Sequence, residues 1–227
     1  DQGRAPREPR GVTGTETTIA LVLLLAGIAV ASYAIGSISS GYLVGKIYRN
    51  VDLRRVGSGS TGATNTFRTL GPGAGVLVAL FDIAKGVLAV WVARAVIPSP
   101  PDLVHLAQAI AAAGAVIGHC WPAFLEGRGG RGVATAFGGL VFIATPAWIG
   151  AVLAFFLALA VTRIVSVSSL ASVVGGVGGY VLLAALGMTP FHPATLAFTL
   201  VAGGIIVWRH RPNIERLMRG VEPRILT

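Results

Sequence analysis

The chain has 227 residues, of which 54% are hydrophobic and only 12% charged, with a mean hydropathy of +0.76. Soluble domains carry about 25% charged residues, so this composition excludes an ordinary soluble domain and points to one embedded in a membrane. Lys and Arg number 18 against 9 Asp and Glu, a net +9, and the lone cysteine, Cys120, excludes an intramolecular disulfide and a cysteine zinc site.

In chain order, residues 1–16 are polar, contain Pro6 and Pro9, and read as a disordered tail. Residues 17–227 then form a single membrane domain. Apolar segments cover about 17–40, 73–97, 102–122, 133–146, 147–162, 169–188 and 193–208. The fourth and fifth share one apolar stretch that is too long for a single upright helix, since a span takes roughly 20 residues. Thr145 and Pro146 lie near its centre, and proline breaks or starts helices, so a tight hairpin is predicted there. Small residues suit such a bundle: 31 glycines allow close helix contacts in lipid.

Charge sets the orientation. If seven spans alternate sides, residues 41–71, 123–132, 163–168 and 209–227 share one face and hold 13 of the 18 Lys and Arg against four acids. The opposite connections, near 98–101, 145–148 and 189–192, hold none. Positive charge stays cytoplasmic, so the prediction is an all-α protein of seven transmembrane helices, N-terminus outside and C-terminus in the cytoplasm. Six spans would put the last basic segment outside.

Two glycine strings fall on the basic face: Gly57, Gly59, Gly62 in GSGSTGATNTFRTLG, and Gly127, Gly129, Gly132 in GRGGRGVAT. Both spell G-x-G-x-x-G, yet a dinucleotide site needs a strand before the glycines and an acid about 20 residues on that can reach a ribose. The segment before Gly57 is RNVDLRRV, and Asp82 lies inside an apolar span, so that reading fails. Neither string is a P-loop. Plain cytoplasmic turns explain the glycines, but not their company. Ser58, Thr64, Asn65 and Arg68 stand in the first loop, and Arg128 and Arg131 flank Gly129 and Gly130 in the second. Converging backbone N–H groups, helix N-termini and guanidinium forks together make a phosphate cradle.

Further polar groups follow on the same face: Ser166 in RIVSVSS, and His210, Asn213 and Arg216 in RHRPNIERL. Basic residues after a last span are ordinary lipid anchors, but an anchor does not need His210 and Asn213. Within the spans, Asp82 and Lys85 are spaced i, i+3 and pair on one helix face, while His119 ends the third span. Charges at that depth are functional candidates, although a self-compensating pair can also serve only to hold helices together. Cys120 has no activating neighbour except His119 and reads as a small apolar filler.

With GSGSTGATNTFRTLG, DIAKG, GHCWPAF, GGRGVAT, the Ser166 region and RHRPNIERL in this order, the chain resembles the bacterial acyl-phosphate:glycerol-3-phosphate acyltransferases, the PlsY family, from about Ala34 to Glu222. The resemblance implies a seven-span bundle in the bacterial cytoplasmic membrane with a site facing the cytoplasm. It also implies acyl transfer from acyl phosphate to glycerol 3-phosphate, giving lysophosphatidic acid and phosphate, with no metal and no cofactor. Expected partners are the two substrates and membrane lipid, with no nucleic acid and a monomeric chain. On this expectation Ser58, His210 and Asn213 are catalytic. Gly57, Gly59, Thr64, Asn65, Arg68, Arg128, Gly129, Gly130, Arg131, Ser166 and Arg216 bind substrate phosphate, and Asp82, Lys85 and His119 support them. His210 serves either as the base on the glycerol hydroxyl or only as its guide, the leaving phosphate then taking the proton. The chain departs from the family pattern in Ser60, where Asn is usual, and in Arg128 and Arg131, where Lys is usual. These departures leave room for a divergent lipid-binding paralogue. A transporter of phosphate or an organic anion is the rival class, although no internal repeat of the transporter kind is found.

Overall fold

The structure, a computed structural model, describes residues 14–225, and every regular element among them is helical. Residues 1–13, most of the predicted tail, lie outside the described residues. The first helix, α1 (Gly14–Ser37), already includes the last three residues assigned to that tail. It breaks at Ile38 and Ser39 before a short amphipathic helix, α2 (Ser40–Arg49). After the first glycine string come α3 (Ala63–Leu70) and α4 (Pro72–Val96). Next are α5 (Pro101–Cys120) and, beyond the second string, α6 (Val133–Ile143). The chain closes with α7 (Thr145–Thr162), α8 (Val165–Ala185), α9 (Pro193–Arg209) and α10 (Arg211–Met218).

Five of these stretches are long and apolar enough to cross a bilayer: those beginning at Gly14, Pro72, Pro101, Thr145 and Val165. The 17-residue α9 and the 11-residue α6 are apolar but shorter. At 1.5 Å per residue α6 is only about 16 Å long. The predicted hairpin is present, with α6 ending at Ile143 and Pro146 in the first turn of α7, where its missing N–H costs nothing. One boundary is displaced. Ser166 and Ser168 were expected in a connection before the sixth span, but α8 begins at Val165 and takes them into its first turn. Ser168 and Ser169 donate to the carbonyls of Ile164 and Val165, four residues back, so their hydroxyls are satisfied within the helix.

The helices pack through small residues. A Cβ on Gly36 of α1 would collide with the backbone of Ala115 on α5, and one on Gly138 of α6 with the carbonyl of Ile83 on α4. The α7–α8 hairpin interlocks most closely, Gly150 lying against the Gly175 carbonyl. A core of Val90, Val116, Cys120, Tyr180, Phe198 and Ile206 sits between α4, α5, α8 and α9. Val22, Leu23, Val30, Leu157, Val161 and Val174 point outward and are well exposed, as suits a lipid-facing surface and not an aqueous one. The glycine strings, α10 and the start of α8 gather at one end of this bundle, where the candidate site lies.

Candidate active site

The first glycine string folds around one side chain. Asn65, in the first turn of α3 and 3% exposed, accepts the Ser58 amide on Oδ1 at 2.9 Å. Its Nδ2 faces the carbonyls of Leu53, Val56 and Ser60 at 3.2, 3.1 and 2.8 Å. Gly57 and Gly59 hold φ of 60° and 70°, so the loop curls tightly enough for a Cβ on Gly57 to strike Asn65 Oδ1. Asn65, expected as a phosphate ligand, lines the cavity described below and uses its amide to shape the loop. Ser58 and Thr64 make no hydrogen bond through their hydroxyls to any described residue, and both line the cavity described below. Ser60 accepts the Gly62 amide at 3.3 Å, so its hydroxyl helps form the turn into α3. Arg68 points away, donating to the Pro223 carbonyl at 3.1 Å.

The second string is clamped from outside. Arg209, at the end of α9, donates through Nε to the Gly130 carbonyl at 3.0 Å and through a terminal nitrogen to the Gly129 carbonyl at 3.2 Å. Its guanidinium lies over the Trp121 ring, 5.5 Å from the centroid. Sequence reasoning gave Arg209 no place in the site; an arginine at a helix end looks like any membrane anchor until the loop it grips is visible. Arg131 lines the cavity with no ion pair or hydrogen bond from its guanidinium among the described residues, whereas Arg128 is exposed and does not line it. The expected arginine pair is therefore split. Burial, only partly offset by Glu222, lowers the Arg131 pKa to about 10.

Ser166 and Arg216, expected on substrate phosphate, and Asn213, expected to be catalytic, meet at a different group. All three converge on Glu222 in the C-terminal segment. Ser166 Oγ and Asn213 Nδ2 donate to Oε1 at 2.8 and 2.6 Å, and Arg216 Nε donates to Oε2 at 2.6 Å. None of the three lines the cavity. These hydrogen bonds hold the Glu222 carboxyl below the usual carboxylate range in spite of burial, which pushes the other way. Glu222 was counted in the sequence only as one of the four acids on the basic face.

His210 is 1% exposed and lines the cavity from the junction of α9 and α10. Its Nδ1 lies 2.7 Å from the Ile206 carbonyl, which can only accept, so Nδ1 carries the proton and Nε2 keeps its lone pair. Burial and then the nearby Arg131 charge lower its pKa to about 4, so the ring is neutral at physiological pH.

Behind the loops, Asp82 and Lys85 pair at 2.9 Å, as their spacing predicted. The break between α1 and α2 brings Ser40 Oγ to 2.7 Å from Asp82 Oδ1 and frees the Ile38 carbonyl for Lys85 Nζ at 3.2 Å. His119 Nδ1 completes the cluster, 2.8 Å from Lys85 Nζ.

One cavity of about 400 Å³ joins these parts. Its polar end holds Ser58, Thr64, Asp82, His119, Arg131 and His210, and its apolar end continues along Phe137, Val141, Trp148, Val152 and Phe155. The first residues of α3 (Ala63, Thr64), α6 (Val133, Ala134) and α8 (Val165), with the His210 cap of α10, all line the polar end. Four helix N-termini and the Arg131 side chain border this one space, an arrangement whose partial and full positive charges favour an anion. Among the described residues no group of three or more His, Cys, Asp or Glu could hold a metal ion.

A membrane-embedded helical bundle with an anion pocket opening into an apolar groove is the class of protein that the fold and site define. The family model described as glycerol-3-phosphate acyltransferase matches residues 26–220, and the chain belongs to that family. It is 44% identical over 202 residues to the glycerol-3-phosphate acyltransferase of Gloeobacter violaceus, covering 89% of this chain and 95% of that one. It is 45% identical over 201 residues to that of Synechococcus sp. strain JA-3-3Ab, covering 87% and 91%. Among solved structures it is similar to PlsY (YgiH), an integral membrane glycerol 3-phosphate acyltransferase. The glycerol 3-phosphate form aligns with a TM-score of 0.76 at 31% identity, covering 91% of this chain and 96% of that one. The lysophosphatidic acid form aligns with a TM-score of 0.74 at 30% identity, covering 91% and 95%.

Proposed function

We propose that this chain transfers a fatty acyl group from acyl phosphate to glycerol 3-phosphate, releasing lysophosphatidic acid and inorganic phosphate. The observation that carries this reading is the continuity of the cavity, since one space offers an anion pocket to phosphate and an apolar groove to an acyl chain. The glycerol hydroxyl, hydrogen-bonded to His210 Nε2, attacks the acyl carbonyl carbon through its oxygen, the carbonyl–phosphate C–O bond breaks, and the hydroxyl proton passes to the departing phosphate. A histidine with a pKa of about 4 is a weak base. It therefore guides the hydroxyl, and the departing phosphate is the final proton acceptor. Ser58, Thr64, Arg131 and the four helix N-termini hold the phosphates, and the mixed anhydride supplies the leaving group, so no covalent enzyme intermediate is needed. Asn65, Arg209 and the Glu222 cluster hold the walls in place.

In this reading α6 and α9 complete seven crossings, and the basic end of the bundle faces the cytoplasm of a bacterial inner membrane. Lys46, Arg49, Arg54, Arg55, Arg209 and Arg211 at that end follow the positive-inside rule. The test incubates the detergent-purified chain with palmitoyl phosphate and glycerol 3-phosphate and measures lysophosphatidate and phosphate in equal amounts. Product from palmitoyl-CoA but not from palmitoyl phosphate would overturn the donor. No product from either would overturn the reaction.

A further inference from the structure

The buried cluster behind the loops is more than an ion pair holding helices together. Ser40, Lys85 and His119 all approach the same oxygen of Asp82, Oδ1, at 2.7, 2.9 and 3.4 Å. Oδ2 receives no hydrogen bond from any described side chain, yet it is not among the buried atoms left without a partner. Asp82 itself lines the cavity.

The ammonium of Lys85 settles the state of His119. It has three N–H groups and no lone pair, and its three neighbours are Asp82 Oδ1, the Ile38 carbonyl and His119 Nδ1. Nδ1 must therefore accept, and the ring's single proton sits on Nε2. That edge faces Gly130, where a Cβ would collide with Nε2. A glycine at this position is what lets the loop pass that edge of the ring, and His119 too lines the cavity.

The corner so formed offers one donor, His119 Nε2–H, and one anionic acceptor, Asp82 Oδ2. A fully ionised phosphate and an acyl carbonyl have only acceptor oxygens, so neither can donate to a carboxylate. An alcohol both donates and accepts, and is the group that matches. We propose that Asp82 and His119 bind the secondary hydroxyl of the glycerol acceptor, Oδ2 accepting its O–H and Nε2–H donating to its oxygen. Holding that hydroxyl leaves the terminal one to face His210 Nε2, so the corner also sets which hydroxyl is acylated. This inference rests on the proposed reaction for its ligand but on the cluster's own geometry for its chemistry.

The test compares glycerol 3-phosphate with 3-hydroxypropyl phosphate, which lacks only the secondary hydroxyl, by calorimetric titration of the detergent-purified chain. A site built to bond a hydroxyl rejects the analogue lacking it, so the wild type should bind glycerol 3-phosphate at least about tenfold more tightly. In Gly130→Ala, whose new Cβ meets the Nε2 edge of His119, that ratio should fall to within about threefold of unity. The double variant Asp82→Asn/Lys85→Met, which leaves no buried charge unpaired, should do the same. The ratio of two dissociation constants does not depend on the fraction of protein that is folded. Equal binding of both ligands by the wild type, or an unchanged ratio in Gly130→Ala, would overturn the assignment. Turnover measured in parallel separates the two claims. Preference without acyl transfer defeats the proposed reaction alone, and transfer without preference defeats this inference alone.

Discussion

Asn65→Ala tests whether the first glycine loop is shaped by one buried amide or lined by it. The substitution removes an acceptor from the Ser58 amide and a donor group from three carbonyls, at distances of 2.8 to 3.2 Å. A buried polar group left unpaired costs about 1–3 kcal/mol. The loop borders water and can recover some of these bonds, so the expected loosening is at the low end for each group, about 2–4 kcal/mol together. That exceeds what a short loop can absorb without moving. Ser58 is the first group displaced, because its own N–H is tied to Asn65. A displacement of about 1 Å in a positioning group costs roughly 100-fold in rate. Asn65→Asp should be worse than Ala, since it turns an anion toward three carbonyl oxygens. The assay is kcat and KM with palmitoyl phosphate and glycerol 3-phosphate, together with hydrogen exchange at the Ser58 amide. The expected result is a large fall in kcat and faster exchange. If kcat and exchange stay at wild-type values and only KM rises, Asn65 is a direct phosphate ligand and the reasoning is wrong.

Four further outcomes follow from the same geometry. With the His210 pKa at about 4, the ring is roughly 3% protonated at pH 5.5, where an ordinary histidine of pKa 6.5 would be about 90% protonated. Once the substrate's own phosphate ionisation near pH 6 is allowed for, kcat should hold to below pH 5; a second acid limb near 6.5 would contradict the neutral assignment. The lowered Arg131 pKa of about 10 leaves the side chain charged at neutrality and neutralises it as pH rises, so KM for the phosphate substrates should climb above about pH 9.5 and Arg131→Ala should abolish that rise. Arg209→Ala, which releases the Gly129 and Gly130 carbonyls, should raise KM for glycerol 3-phosphate about tenfold or more, and Arg209→Lys should not rescue it, because only the guanidinium reaches both carbonyls. Gly150→Leu should prise α7 from α8 and lower the melting temperature in detergent, while the same change at Gly178, where nothing lies within 4 Å of the new Cβ, should not.

The membrane class, the hairpin at Pro146 and the presence of two glycine loops were legible in the sequence because each rests on local composition. Apolar runs, a proline and glycines among Ser, Thr and Arg have much the same meaning wherever they are placed. The Asp82–Lys85 pair was legible for a similar reason, since i, i+3 spacing on a helix needs no tertiary partner. The roles of individual polar residues were not. Asn65 and Ser58 look equally suited to phosphate in the loop's spelling, and both line the cavity, but only the fold shows that the Asn65 amide is taken up by backbone partners while the Ser58 hydroxyl has none among the described residues. Ser166, Asn213 and Arg216 were grouped correctly, but what joins them is Glu222, brought across from the C-terminal segment. The proton positions on His119 and His210 were likewise decided by the fold, the first by a lysine 34 residues away and the second by a carbonyl four residues back. A sequence records which donors and acceptors a chain carries, whereas distance in space decides which satisfy one another and which are left for a ligand.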